Sequence, residues 1–148
     1  MADGKPVQLG LFDERPDIYA QLAGLNPAVK AAMNRAADRC RRLSRQQICD
    51  AMNDLADAAG VKLTGGNAKQ LSFATLEKWL NPQDTEHLPS LPAIHVFCLV
   101  VNDLEPLRVQ AAVLGCELAG EQDIRDRDLG RAYRQKKALA KRMKELEG

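Results

Sequence analysis

The sequence predicts an all-α protein: a five-helix bundle with an extended amino-terminal arm and a carboxyl-terminal charged helix. The 148 residues are 45% hydrophobic but only 4% aromatic, with Ala and Leu abundant, which favours helix over strand. β-Branched residues cluster in one stretch only, Ile94 to Val101. Elsewhere apolar residues recur at spacings of three and four, the period of a helix with one buried face. A chain of this length suits one core with a tail, divided as an arm over 1–25, a helical domain over 26–120 and a terminal helix over 121–148.

Residues 1–24 carry Gly4, Pro6, Gly10 and Pro16 among isolated hydrophobic residues and read as an extended arm with one turn of helix at its end. Leu11 and Phe12 either dock on the core or a second subunit, or belong to a mobile tail. The first bundle helix opens with Asn26 as N-cap and Pro27 at the first helical position. Its buried stripe is Val29, Ala32, Met33, Ala36, Ala37, Cys40 and Leu43, which leaves the arginines on the opposite side and at the carboxyl end. Ser44 and Gln47 form a capping box that starts the second helix; Ile48, Ala51, Met52, Leu55, Ala56 and Ala59 are its apolar stripe, and Gly60 its stop.

Residues 61–71, with Thr64-Gly65-Gly66-Asn67 at their centre, are turn chemistry. Ser72 caps a short third helix that faces Phe73, Leu76, Trp79 and Leu80 inward and Ala74, Thr75 and Lys78 outward, until Asn81-Pro82 ends it. Such a helix is too short to persist alone, so Trp79 must anchor it. Ser90 caps the fourth helix, in which Ile94 to Val101 is apolar almost all round, as a central buried helix requires; a buried strand is the competing reading, without a partner strand nearby. Asp103 begins the fifth, through Leu107, Ala111 and Leu114 to Gly115.

Beyond Gly120, Leu129, Ala132, Lys136, Leu139, Met143 and Leu146 follow the rhythm of a coiled-coil seam. Two copies zip together there, or the helix folds back on its own domain.

With 21 Lys plus Arg against 20 Asp plus Glu, the net charge is +1, so affinity for nucleic acid must come from local patches. Two exist: Arg35, Arg39, Arg41, Arg42 and Arg45, opposed only by Asp38, and an acid-free run from Arg131 to Lys144. Cys40, Cys49, Cys98 and Cys116 lack both zinc-site spacing and the density of a disulfide framework, and read as buried thiols of a reduced cytoplasm. No apolar run approaches the ~20 residues of a membrane helix, so the expectation is a soluble, unexported, cytoplasmic protein. No catalytic constellation is readable: His87 and His95 are a surface or packed pair, Asp50, Asp54 and Asp57 a solvated face, and Gly65-Gly66 lacks the lysine of a nucleotide loop. The expectation is therefore no enzyme, no metal, no cofactor and no small-molecule substrate.

Leu43-Ser-Arg-Gln-Gln-Ile48, Thr75-Leu76-x-x-x-Leu80-Asn81-Pro82, the following Leu88, the apolar Ile94 to Val101 and then Asp103 occur in the order and spacing of a known pattern. Leu43 to about Gly115 resembles the lambda-repressor-like helix-turn-helix family, and within it phage regulatory proteins of the CII-like type. The resemblance implies that Arg45 and Gln46 touch phosphate and that Ser72, Ala74, Thr75 and Lys78 face the major groove, with Leu76 and Trp79 in the core. The 60–71 loop departs from the family's short turn; it is a spacer, or carries Lys62, Asn67, Lys69 and Gln70 to the DNA backbone. The function expected is a sequence-specific duplex DNA binder, a phage or prophage transcriptional regulator, positioned on phosphate by Arg39, Arg41, Arg42 and Arg45 and acting as a homodimer. The alternative is a helical protein-interaction module of a phage replication or transposition assembly.

Overall fold

The structure is a computed structural model that describes residues 17–148; the expectations for Leu11 and Phe12 lie outside that range. Among the described residues there are seven helices and no strand: α1 (Ile18–Ala23), α2 (Leu25–Arg39), α3 (Arg45–Ala59), α4 (Phe73–Trp79), α5 (Leu91–Val101), α6 (Glu105–Val113) and α7 (Glu121–Glu147). The chain divides into two compact units, the second being Glu117–Gly148. No helix is long and apolar enough to cross a membrane.

In the first unit α2 packs most extensively on α6, and α3 on α5. Met33, Ile48, Met52, Leu76 and Phe97 have no exposed surface and form the centre of the core. The turn of helix expected at the end of the arm is α1. Ile18 is buried and α1 rests on α2 and α6, so residues 18–25 belong to the bundle. Gly24 joins α1 to α2, and α2 begins at Leu25 rather than with Asn26 as its cap; Pro27 falls within the first turn, where its missing N–H costs nothing.

The stop signals act as the sequence indicates. The Ser44 hydroxyl accepts from the Gln47 amide at 3.2 Å and the Gln47 carboxamide oxygen from the Ser44 amide at 2.8 Å. Gly60 ends α3 at φ 69°, with the Val61 amide donating to Ala56 and the Gly60 amide to Asp57, the paired bonds of a Schellman ending. Asn102 ends α5 at φ 55°, its amide and that of Asp103 both donating to the Cys98 carbonyl. The Asp103 carboxylate accepts from the Glu105 amide at 3.0 Å, but Leu104 is the N-cap of α6.

Four expectations about packing are corrected. On α3, Leu55 and Ala59 are exposed and Cys49 and Asn53 are buried instead, because the covering segments approach from the Cys49 side. Helix α5 is a helix, yet not buried all round: Leu91 (66% exposed), His95 and Leu99 (71% exposed) form an outward stripe at i, i+4 and i+8. Leu114 is 73% exposed. Of the cysteines, only Cys49 and Cys98 are buried; Cys40 is half-buried and Cys116 exposed. Burial pushes the Cys98 thiol up to about 11.

Two polar side chains tie the connecting segments to this core. Asn53 reads the Leu71 main chain in both directions, its Nδ2 donating to the Leu71 carbonyl at 2.9 Å and its Oδ1 accepting from the Leu71 amide at 2.8 Å. Leu63 and Leu71 are both buried, so the loop is docked at its start and its end. Lys30 is 1% exposed; its ammonium donates to the carbonyls of Asp84 and, at 2.8 Å, His87, and lies 3.8 Å from the Asp84 carboxylate. Asp84 also accepts from the amides of Glu86 and His87 at 3.0 and 2.9 Å, with His87 Nδ1 3.0 Å away.

Asn53→Ala leaves the Leu71 amide buried without a partner and its carbonyl with the weak Cys49 thiol donor alone, at 3.4 Å, and is expected to lower unfolding free energy by about 1–3 kcal/mol in urea titration. The bond from His87 holds the Asp84 carboxyl down from 3.8 to about 2. A depressed carboxyl stabilises the fold above its unfolded value, and that contribution fades as pH falls from about 4 to about 2. Asp84→Asn is therefore less stable than wild type at neutral pH, and the gap narrows across that acid window when urea midpoints are compared.

Candidate nucleic-acid interface

Helix α4 is set by its cap and its anchors. The Ser72 hydroxyl accepts from the Thr75 amide at 3.1 Å and donates to Thr75 Oγ1 at 3.0 Å. Leu76, Trp79 and Leu80 are buried at 0%, 3% and 2% exposure. At about 100° per residue these three define the inner side, Ala74 and Lys78 the outer side, and Phe73 with Glu77 and Thr75 the two flanks. Ser72, Ala74 and Lys78 are exposed and Thr75 is half-buried. Phe73, expected inside, is 39% exposed because it stands on a flank.

The outer side is less acidic than the sequence suggests. Glu77 faces Arg45, whose Nη1 lies 3.4 Å from both its carboxylate oxygens. The same guanidinium donates through Nη2 to Asn34 at 2.6 Å and Asp38 at 2.7 Å, so Arg45 bridges α2 to α4. The bond to Asp38 leads in raising its pKa. A side chain expected to hold phosphate is thus a tie between helices.

The other residues assigned to phosphate do not form one patch. Arg39 donates to Asp103 at 2.8 Å and also to Glu105, and Arg35 reaches Glu105 at 2.9 Å. These bonds raise the Arg39 pKa and hold Glu105 below the usual carboxylate range, Arg39 being the larger influence. Arg42 donates to the Val100 carbonyl at 3.3 Å. Arg41 is exposed and, among the described residues, without an ion pair. Gln46 is exposed and donates to Asp50 at 3.2 Å.

Lys69 is exposed and lines, with Lys62, Asn67, Asp57 and Gly60, an open hollow of about 350 Å³; Gln70 donates to Asp57 at 3.4 Å. This group lies at the carboxyl end of α3, about 18 Å along the axis from Arg45 at about 1.5 Å per residue. Asn53, Asn34 and Glu77 set the geometry of α4 and were not legible as such. The one signal was Asn53 itself, a polar residue between Met52 and Ala56 on an apolar stripe.

His95 Nδ1 lies 3.0 Å from the Leu91 carbonyl of its own helix. Among the described residues no group of three or more His, Cys, Asp or Glu side chains is placed to hold a metal ion. No family model matches the chain, and no curated protein or solved structure matches it.

Removing the cap of so short a helix has a measurable cost. Ser72→Ala is expected to lower stability by about 1 kcal/mol in thermal or urea unfolding, whereas Ala74→Ser, on the outer side, leaves the midpoint unchanged.

Proposed function

We propose that this protein is a sequence-specific duplex DNA binder of the lambda-repressor-like helix-turn-helix kind, a phage or prophage transcriptional regulator in which α2 to α6 form the five-helix unit and α4 reads the major groove. The observation that carries the reading is the division of α4: Leu76, Trp79 and Leu80 are sunk in the core while Ala74 and Lys78 stand clear and Ser72 and Thr75 hold the amino end. A reading helix needs that presentation, with its first residues toward the base edges.

In this reading Lys78 reaches guanine or phosphate, the methyl groups of Ala74 and Thr75 meet a thymine methyl, and the Ser72 and Thr75 hydroxyls donate or accept; each good base contact discriminates by about 1–3 kcal/mol. Arg41, Gln46 and Lys69 are the exposed groups available for phosphate. Arg39 and Arg45 take that role only by exchanging carboxylate for phosphate. Few base contacts per subunit call for two subunits on paired half-sites, and the exposed seam of α7, with Leu129, Leu139, Met143 and Leu146 between 59% and 85% exposed, supports a homodimer.

A second reading, a helical protein-interaction module without base specificity, is favoured by the outward Leu91, His95 and Leu99 stripe of α5.

Selection of bound duplexes from a random pool separates the two. The regulator reading requires an enriched motif with two half-sites about one helical turn apart, altered at defined positions by Thr75→Ala or Lys78→Ala, and uniformly weaker binding in Arg41→Ala. A flat pool sinks it.

A further inference from the structure

The cations of α7 differ in one respect from the arginines of the first unit. Arg35, Arg39 and Arg45 are each bonded to carboxylates. In α7 the ion pair among the described residues is Arg125 with Glu121, at 3.5 Å, which leaves the run from Arg131 to Lys144 without internal counter-charge. No residue of α7 is buried. Favourable interaction with the helix dipole is confined to the last turn and so accounts for Lys144 alone.

The run is also ordered around the helix axis. At about 100° per residue, Arg134, Lys137, Lys141 and Lys144 share one stripe, the apolar seam from Leu129 to Leu146 is centred about 150° away and includes Lys136, and Arg131 and Arg142 stand between the two. The four cations, with Ala138 and Ala140, line a shallow concave strip of about 540 Å³. The alanines between them are too short to keep a partner's surface at a distance. Toward the amino end the same stripe passes Gly130 and becomes mixed, with Asp126 and Asp123 beside Arg127, which bounds the acid-free part on that side; Glu145 follows it on the other.

The four charges extend over about 15 Å at about 1.5 Å per residue. One strand of a duplex presents about four phosphates in that length, at about 3.4 Å of axial rise each. A lipid surface suits this helix less well. An amphipathic helix lying in a membrane buries its apolar face with cations flanking it on both sides, whereas here the four-cation stripe is centred about 150° from the seam and Arg131 and Arg142 stand on the other flank alone.

We infer that the Arg134, Lys137, Lys141 and Lys144 stripe is a second nucleic-acid surface that docks on the phosphate backbone without regard to base sequence. The inference rests on the DNA-binding reading for its choice of polyanion, and not on base reading by α4. Because seam and stripe lie on opposite sides, pairing of two chains through the seam leaves the stripe open.

The test uses the full chain and a variant carrying Arg134→Gln, Lys137→Gln, Lys141→Gln and Lys144→Gln, titrated with a random-sequence duplex over a range of salt. Loss of four phosphate contacts lowers the slope of log affinity against log salt by about 3.6 in magnitude, at about 0.9 per contact. An unchanged slope overturns the inference, as does salt-dependent binding to phosphatidylserine vesicles with none to duplex. A companion variant, Arg134→Lys with Lys137→Arg, Lys141→Arg and Lys144→Arg, keeps the charge and must keep the slope; a fall there overturns the inference too. Failure of the α4 reading looks different: a flat selected pool with the salt slope intact.

Discussion

The two hydrogen bonds between the Asn53 carboxamide and the Leu71 main chain are the constraint on which the placement of α4 depends. The segment from Val61 to Leu71 has no regular structure, and a connection of that length does not by itself fix where the next helix begins. In a buried site an amide pair is stronger than in water and expensive to leave unmade, so Leu71 is held in one position against α3. Ser72 follows at once and starts α4, whose inner side chains then find the core. Lys30 exerts the same control on the exit side through the carbonyls of Asp84 and His87. With Arg45 reaching Glu77 from α3, a helix of seven residues is secured at its entry, its middle and its exit.

Electrostatics divide the molecule differently from what a count of charges suggests. A net charge of +1 conceals one unit in which Arg35, Arg39 and Arg45 are committed to neighbouring carboxylates and another in which the cations from Arg131 to Lys144 face water. The Arg35, Arg39, Asp103 and Glu105 group joins the end of α2 to the start of α6, the pair of helices with the most extensive packing. Exposed pairs of this kind contribute modestly to stability, but they withdraw positive charge from the surface where a phosphate would have to bind.

Much of this was legible in advance. The Ser44, Ser72 and Ser90 caps, the Gly60 stop and the inner side of α4 are local features: each depends on residues within one or two turns of helix, so sequence spacing is sufficient to find them. The all-helical class follows from the same periodicities. What spacing missed was set by partners far along the chain. Arg39 looked free because Asp103 and Glu105 are more than sixty residues away, and the roles of Asn53 and Lys30 were not readable because the carbonyls and amide they serve belong to loops. Leu99 looked buried because hydropathy alone cannot tell an all-round core helix from one with an uncovered side. For the candidate site, Leu76, Trp79 and Leu80 as inner and Ala74 and Lys78 as outer residues of α4 were separable from the sequence, while Phe73 and Thr75, on the flanks, were not; nor was the commitment of Arg39 and Arg45 to other helices.

Gly130 gives α7 a mechanical character of its own. A methyl group added there would meet nothing nearer than the Arg134 guanidinium at 3.6 Å, so no close packing demands a glycine. An interior glycine weakens a helix by about 1 kcal/mol relative to alanine, and this one stands between a mixed, acid-rich amino segment and the cationic carboxyl segment. The helix runs through this position without a break, so its weakest backbone link lies at the boundary between its two differently charged segments.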